Sequence, residues 1–379
     1  MVTWVAPGNP FGGPLRVATN DADELRRRGH QVEVVAAQPR RRQRGRWASA
    51  DQGVHGYDAF RMIPGAGFSG LVSPRLLWMV WRRSRTFDVV HVHLARDLVS
   101  LPAAAITRLR RTALVVQCHG MIDQSSRRSA AVMDRLLTRR VLEAAGSVFV
   151  LTSRERADVE ATFPGATMRF VVLPNGVPVV EGSDEVHGAA TARVLFCSRL
   201  HARKRPVLFA RMAVDLLAAG IDGEFAMVGA DEGEMTAVRD VLGPASAGVE
   251  LAGAIEPDGV RAELVRCDVL VLPSVDEPFP MIVLEALAVG RPVVVTETCG
   301  LAGFVRDNVC GIVVAADDLG ALCDAVRRLI DDPHERHRMG AAGRAAVTEH
   351  LSMPTVASKL EDRYHAAADA ARPTAEIRR

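Results

Sequence analysis

Lysine is nearly absent from this chain. Across 379 residues, Lys204 and Lys359 stand against 45 arginines, so a lysine at a functional position cannot reflect a general surplus. Aromatic residues make up only 5%, and the remaining apolar content is the Ala/Val/Leu mixture of α/β proteins. Cys118, Cys197, Cys267, Cys299, Cys310 and Cys323 form no C-x-x-C pair. That excludes a zinc ribbon or a disulfide framework, and predicts buried free thiols in a cytoplasmic protein. No apolar run reaches the ~18 residues that span a bilayer. Met1 to Ala6 leads straight into a glycine-rich loop, so no signal peptide is expected. No G-x-G-x-x-G follows either of the expected first strands, which sets aside dinucleotide-dependent redox chemistry.

What is present is an asymmetric charge. The net charge of +2 hides 26 Arg against 14 acidic residues in 1–180, and 21 basic against 31 acidic in 181–379. One reading is a basic half that meets an acidic partner, such as anionic lipid headgroups, a phosphorylated acceptor or nucleic acid. The other is an arginine-rich surface with no partner. The segments that raise the question are Arg40-Arg41-Arg42-Gln43-Arg44-Gly45-Arg46 and Trp81-Arg82-Arg83-Ser84-Arg85. Leu71 to Arg85 reads as a helix carrying Trp78 and Trp81. It suits either a membrane interface or burial on a sheet.

Strand and helix signals alternate along the whole chain. Val2–Ala6, Val32–Ala37, Asp88–His93, Ala113–Gln117 and Ser147–Leu151 read as strands, with helices over Leu15–Arg28 and Ser129–Ala145 and a polar loop over Pro39–Gly56. Residues 179–192 read as a linker, after which the pattern restarts. The expected organisation is a first domain over 1–178, a second over 193–352, and a last helix from 353 that crosses back to the first domain, with a frayed tail to 379. Such βα alternation implies parallel sheets covered by helices, hence two Rossmann-like domains facing a cleft.

Two segments carry chemistry. After a buried strand ending near Leu272 comes Glu277-Pro278-Phe279-Pro280-Met281-Ile282-Val283-Leu284-Glu285, continuing to Gly290-Arg291-Pro292. Glu277 falls in the loop at the carboxyl end of a strand, where open α/β sheets place ligands, and Glu285 about two turns further on. Paired carboxylates there suit sugar or ribose diols; the plain alternative is a helix with an acidic start. Ser198-Arg199-Leu200-His201-Ala202-Arg203-Lys204-Arg205-Pro206 follows the first strand of the second domain and opens a helix. A strand end plus a helix N-terminus with basic side chains is an anion site, or else a solvated basic loop.

The order and spacing of these segments resemble the retaining GT-B glycosyltransferases of family 4 (glycosyl transferases group 1), over most of the chain from Gly12-Gly13 onward. The resemblance implies the GT-B architecture and a hexosyltransferase that uses a nucleotide-diphosphate sugar, by default a UDP-sugar. It further implies a hydroxyl acceptor (lipid, saccharide or small metabolite), retention of configuration, and the donor site in the second domain. It assigns Arg199 and Lys204 to the donor diphosphate and Glu277 to the sugar hydroxyls. Glu285 goes to the ribose, and the amides of Phe279, Met281 and Ile282 to the donor. His119, at a strand end, faces the sugar near the reaction centre, and Gly13 belongs to a glycine-rich loop that approaches the phosphates. His119, Glu277, Arg199 and Lys204 are the expected catalytic groups. No metal and no other cofactor is expected, nor a nucleic-acid partner; contact with an anionic cytoplasmic membrane face is possible. A relative often carries glycine at position 280, whereas Pro280 offers no N–H.

Other motifs read differently. His91-x-His93 places two side chains on one strand face, as a metal pair or as packing; without a carboxylate or Cys partner in spacing, packing is favoured. Asp21-Ala22-Asp23 reads as solvated helix surface, because its carboxylates do not share a face. A sugar-nucleotide epimerase of similar fold and a non-catalytic nucleotide-sugar-binding protein are the competing classes. Turnover without an acceptor would mark the first, and binding without turnover the second.

Overall fold

The computed structural model describes residues 2–4, 13–39, 53–63, 65–125, 128–178 and 191–372. The chain divides into two compact units, Met1–Gly176 with Met353–Arg379, and Val177–Ser352.

The first unit is built on an eight-stranded sheet of order β4-β3-β2-β1-β5-β6-β7-β8. Its strands are β1 (Val2–Trp4), β2 (Val34–Pro39), β3 (Val54–Arg61), β4 (Leu71–Val72), β5 (Val89–His93), β6 (Ala113–Gln117), β7 (Ser147–Val150) and β8 (Phe170–Val172). All neighbours run parallel except β4, which is antiparallel to β3. The helices are α1 (Gly13–Arg27), α2 (Pro74–Arg83), α3 (Ser100–Leu109), α4 (Arg128–Met133), α5 (Arg139–Ala144), α6 (Ser153–Thr162) and, from the chain's end, α14 (Met353–Ala371). A π-helical turn over Asp134–Thr138 joins α4 to α5.

Alternation along the central strands feeds two cores. Val90, Val92, Leu114 and Val116 join one apolar cluster, with Leu76, Met79, Val80 and Leu101. Ala113 and Val115 join the other, with Val356, Leu360 and Ala367 of α14. Successive strand residues point to opposite faces, so His91 and His93 lie on the face that α14 covers. β5 and β6 are therefore buried along both faces, as parallel strands covered on both sides are, with His91 and His93 as the polar residues of β5.

Two local expectations fail here. The strand at Val54–Arg61 replaces the end of the expected loop. The expected helix from Leu71 begins only at Pro74, because Leu71–Val72 pairs with β3 and the residue before a proline avoids helical dihedrals.

The second unit has a six-stranded, all-parallel sheet of order β11-β10-β9-β12-β13-β14. These are β9 (Ala192–Cys197), β10 (Gly223–Val228), β11 (Val249–Gly253), β12 (Val269–Leu272), β13 (Val293–Thr296) and β14 (Gly311–Val314). Its helices are α7 (Pro206–Ala218), α8 (Met235–Leu242), α9 (Pro257–Arg266), α10 (Met281–Ala288), α11 (Ala302–Asp307), α12 (Leu319–Asp331) and α13 (Pro333–His350). The six cysteines are free thiols, and all but Cys323 are buried. Among the described residues no helix is long and apolar enough to cross a membrane.

Candidate functional site

In the second unit the chain leaves β9 at Cys197 and is held against the end of β10. The Ser198 amide donates to Val228 O at 2.9 Å, and the Leu200 amide to Ala230 O at 2.8 Å. Gly229 permits this closeness, because a Cβ there would stand 1.8 Å from Ser198 O. A single 3-10 turn, Ala202–Lys204, follows. Arg205, at φ +55, then swings the chain into α7, with Pro206 at its first position.

The loop after β12 is stitched to its surroundings with equal care. The Val275 amide donates to Arg203 O at 2.9 Å, the Asp276 amide to Thr298 Oγ1 at 3.2 Å, and the Gly300 amide to Glu277 O at 2.7 Å. A Cβ on Gly300 would lie 1.7 Å from Pro278 O, so this approach requires glycine. The result brings together two residues 73 positions apart: Lys204 Nζ lies 2.6 Å from Glu277 Oε2. Each side chain is 13% exposed, which shields the pair from solvent screening. Cys299 is buried alongside; burial pushes its thiol up to about 11, with the nearby Glu277 charge adding and Lys204 opposing.

α10 starts directly after Pro280, so its first amides, from Met281 and Ile282, have no acceptor within the helix. Both residues are half-buried, Phe279 is buried, and Glu285 is half-buried in the second turn. Arg199 does not join the Lys204–Glu277 pair. Its guanidinium spans both carboxylate oxygens of Glu232, at 2.7 and 2.8 Å, and its side chain is 50% exposed. The sequence reading missed Glu232. Its signal was the Asp231-Glu232-Gly233 turn at the carboxyl end of β10, beside the β9 loop.

In the first unit, β6 delivers Cys118-His119-Gly120 to a tight turn, with φ of +53 at His119 and +68 at Gly120. A left-handed histidine is uncommon and needs support. Glu155, also missed from sequence, supplies it: Oε1 accepts from the Gly120 amide and Oε2 from the Leu151 amide, both at 2.5 Å. Burial raises the Glu155 pKa, and these two amides oppose the rise. Its signal was Thr152-Ser153-Arg154-Glu155, the S/T-x-x-E start of α6, with Thr152 Oγ1 accepting from the Glu155 amide at 3.1 Å.

His119 heads a chain of rings. Its Nε2 is 2.6 Å from His93 Nδ1, with the rings stacked 4.9 Å apart. The rings of His93 and His91 stack at 4.6 Å, and His91 Nδ1 meets Tyr364 Oη of α14 at 2.7 Å. Burial holds all three imidazoles neutral, taking His119 to about 3 and the other two well below 6.5. His91 and His93 thus pack into the sheet–α14 core. Among the described residues no group of three or more His, Cys, Asp or Glu is arranged to hold a metal.

Asp21 corrects the surface reading of Asp21-Ala22-Asp23. It is 2% exposed and burial raises its pKa to about 7, while Asp23 is exposed and pairs with Arg26 at 2.9 Å. One helix turned both ways, because α14 covers the Asp21 face. Gly13 opens α1, and a Cβ there would meet nothing within 4 Å. Gly12, Arg40–Arg46 and 179–190 of the expected linker lie outside the described residues. A cavity of about 760 Å³ lies in the first unit between α2 and α14, reaching His30, His91, Tyr364 and His365. Of the sequence-predicted site residues it contains none; the strand-end loops, where charge and backbone donors converge, are the better candidate.

Two α/β sheets, parallel throughout except for the edge strand β4, with an anion-suited, acid-paired loop at the strand ends of the second define a class: GT-B enzymes acting on sugar nucleotides. Similarity to known proteins agrees. The "Glycosyl transferase 4-like domain" family matches residues 12–176, and "Glycosyl transferases group 1" matches 191–332. Glycogen synthase of Mycobacterium tuberculosis is 25% identical, over 97% of this chain and 94% of its own. Sucrose-phosphate synthase from Thermosynechococcus elongatus superposes with a TM-score of 0.70 at 18% identity, covering 97% and 99% of the two chains. Anabaena Alr3699/HepE, solved in complex with UDP and glucose, gives 0.68 at 18% identity, covering 95% and 98%. The chain belongs to the group 1 glycosyl transferases and is a nucleotide-sugar-dependent glycosyltransferase of GT-B fold.

Proposed function

We propose that this enzyme moves a hexosyl unit from a UDP-sugar to a hydroxyl of a saccharide, lipid or small-metabolite acceptor, with retention of anomeric configuration and without a bound metal. The observation that carries the reading is the Lys204–Glu277 contact at 2.6 Å. A diphosphate competes for the ammonium and draws it off the carboxylate, which is then free to accept from sugar hydroxyls. Lys204 and Arg199 offset the charge that grows on the leaving UDP. Glu285 takes the ribose, the amides of Phe279, Met281 and Ile282 and the backbone at Gly13 approach the donor, and His119 orients the sugar. In a front-face transfer the C1–O bond to the diphosphate breaks and the acceptor oxygen bonds C1 on the same face. The acceptor proton passes to the leaving phosphate oxygen. Support for uridine is the likeness to a protein solved with UDP and glucose.

The test is a donor screen by thermal shift and nucleotide release, over UDP-, GDP- and dTDP-sugars, with EDTA throughout and Lys204→Ala and Glu277→Ala as controls. A UDP-sugar-specific shift and metal-independent release, lost in both variants, upholds the reading. A GDP- or dTDP-sugar preference, or loss of release in EDTA, overturns the corresponding part. NMR of the first product reports its anomeric configuration.

We also propose that α2 seats the enzyme on an anionic membrane surface at its cytoplasmic face. Leu76, Met79 and Val80 face the core, while Trp78 is 61% and Trp81 43% exposed. Arg82 lies over Trp78 at 5.4 Å and Arg110 over Trp81 at 4.8 Å, which pairs aromatic surface with positive charge. Sedimentation with phosphatidylglycerol vesicles should exceed that with phosphatidylcholine vesicles, and Trp78→Ala/Trp81→Ala should abolish it. Equal sedimentation with both lipids would sink the charge argument.

A further inference from the structure

The imidazole chain behind His119 has a direction. In any His–His hydrogen bond, one nitrogen holds the proton and the other accepts. His93 Nδ1 and His119 Nε2 are 2.6 Å apart, while His93 Nε2 is buried with no partner. Were His119 Nε2 the donor, neutral His93 would carry its proton on Nε2 and bury an unpaired N–H. Were His93 Nδ1 the donor, only a bare lone pair would be left over. Orphaned buried N–H groups are the rarer of the two. The same choice recurs one ring back. His91 Nδ1 is 2.7 Å from Tyr364 Oη, and His91 Nε2 is also buried without a partner. Both histidines therefore carry their proton on Nδ1, and His91 donates to Tyr364 Oη.

We propose that His93 is a positioning residue for His119. Its Nδ1–H donates to His119 Nε2 and fixes His119 as the neutral Nδ1–H tautomer. The chain of support runs from Tyr364 on α14, through His91, stacked at 4.6 Å on His93, to His119. His119 is then left with one free polar edge, an N–H donor. Its only lone pair is occupied by His93, so it cannot act as a general base. It can donate a hydrogen bond to a sugar oxygen, and the ring cannot rotate without breaking the His93 bond. The Glu155 clamp on the Gly120 amide sets the backbone, and His93 sets the ring. This role deepens the proposed assignment of His119 to the donor sugar and rests on it for its catalytic consequence.

The experiment uses the full chain labelled with ¹⁵N-histidine. Long-range ¹H–¹⁵N spectra separate the two tautomers, and His119→Gln identifies the His119 signals. The expected result is an Nδ1–H tautomer for His119 in the wild type. His93→Phe keeps the stacked ring and deletes the donor, so His119 should move toward the Nε2–H tautomer, and kcat should fall on the order of a hundredfold with little change in donor KM. His93→Asn places an amide N–H where Nδ1 was and should restore both the tautomer and kcat. A wild-type His119 protonated on Nε2 overturns the proposal, as does a His119 tautomer unmoved by His93→Phe. The wild-type spectrum decides the matter even where His93→Phe does not fold. A shifted tautomer with unchanged kcat upholds the positioning and removes His119 from the donor site instead.

Discussion

Lys204 Nζ and Glu277 Oε2 are 2.6 Å apart, at the ends of two adjacent strands of one sheet. Each charge is largely withdrawn from water and satisfied by the other. Removing either one leaves its partner stranded, which costs more than the pair is worth. Lys204→Ala should lower kcat by about 10²- to 10³-fold, the range for losing one group that stabilises developing charge. Lys204→Arg should recover little, because a planar guanidinium does not replace a compact ammonium. The double variant Lys204→Met/Glu277→Gln should recover the stability lost in Lys204→Met but none of the activity. Urea melts and initial rates on the same preparations check both halves.

Gly300 and Gly13 should respond differently to alanine. At Gly300 the new Cβ would meet Pro278 O at 1.7 Å, so the Pro278–Phe279 peptide must move. A loss of about 3 kcal/mol, with weakened donor binding, is expected. At Gly13, the first residue of α1, nothing lies within 4 Å, so alanine should leave the stability of the fold unchanged, and the donor titration reports separately on the backbone approach proposed there. Denaturant midpoints and donor titrations of Gly300→Ala and Gly13→Ala test the contrast. A harmless Gly300→Ala would contradict the close approach.

Buried His91 and His93 and half-buried His119 make the fold sensitive to acid. His91, His93 and His119 all have folded pKa values below the ordinary 6.5, because burial disfavours the charged ring. As pH falls below 6.5, the unfolded chain gains protons that the folded chain refuses, so stability falls. The loss is about 1.4 kcal/mol per pH unit for each proton. For His119 it runs down to about 3, and His91 and His93, also held well below 6.5, add to it. His93→Asn should remove one proton's share of this slope, measured by urea unfolding between pH 4 and 6.

Asp21 acts with the opposite sign. Its folded pKa is about 7 against an ordinary 3.8, so the folded protein holds a proton that the unfolded chain has released. Rising pH between those values therefore takes stability away, by up to about 4 kcal/mol in all. Asp21→Asn should become more stable relative to wild type as pH rises from 4 to 8, and the difference should level off above pH 8. A pH-independent difference would mean that Asp21 is not buried in its neutral form.

Much of this protein was legible from local pattern. Apolar runs such as Ala113–Val116 and Val269–Leu272 mark strands covered on both faces. The alternation of strands with helices requires parallel sheets, and the group 1 resemblance followed from the Glu277…Glu285…Gly290-Arg291-Pro292 pattern together with the other motifs in their order along the chain. Even Glu155 had a local sign, the S/T-x-x-E spacing. No local sign existed for what the distant packing decides. Asp21 and Asp23 are two residues apart on α1, yet one is buried with its pKa raised to about 7 and the other is exposed, because α14 covers only one face of the helix. Tyr364 meets His91 across 273 positions. Arg199 turns to Glu232 rather than to the Lys204–Glu277 pair, because β10 lies beside β9 and places Glu232 within reach. Periodicity determines which residues share a face of one element. Which element lies against that face, and so which charge is paired and which imidazole nitrogen keeps the proton, is decided only when strands and helices from distant parts of the chain pack together.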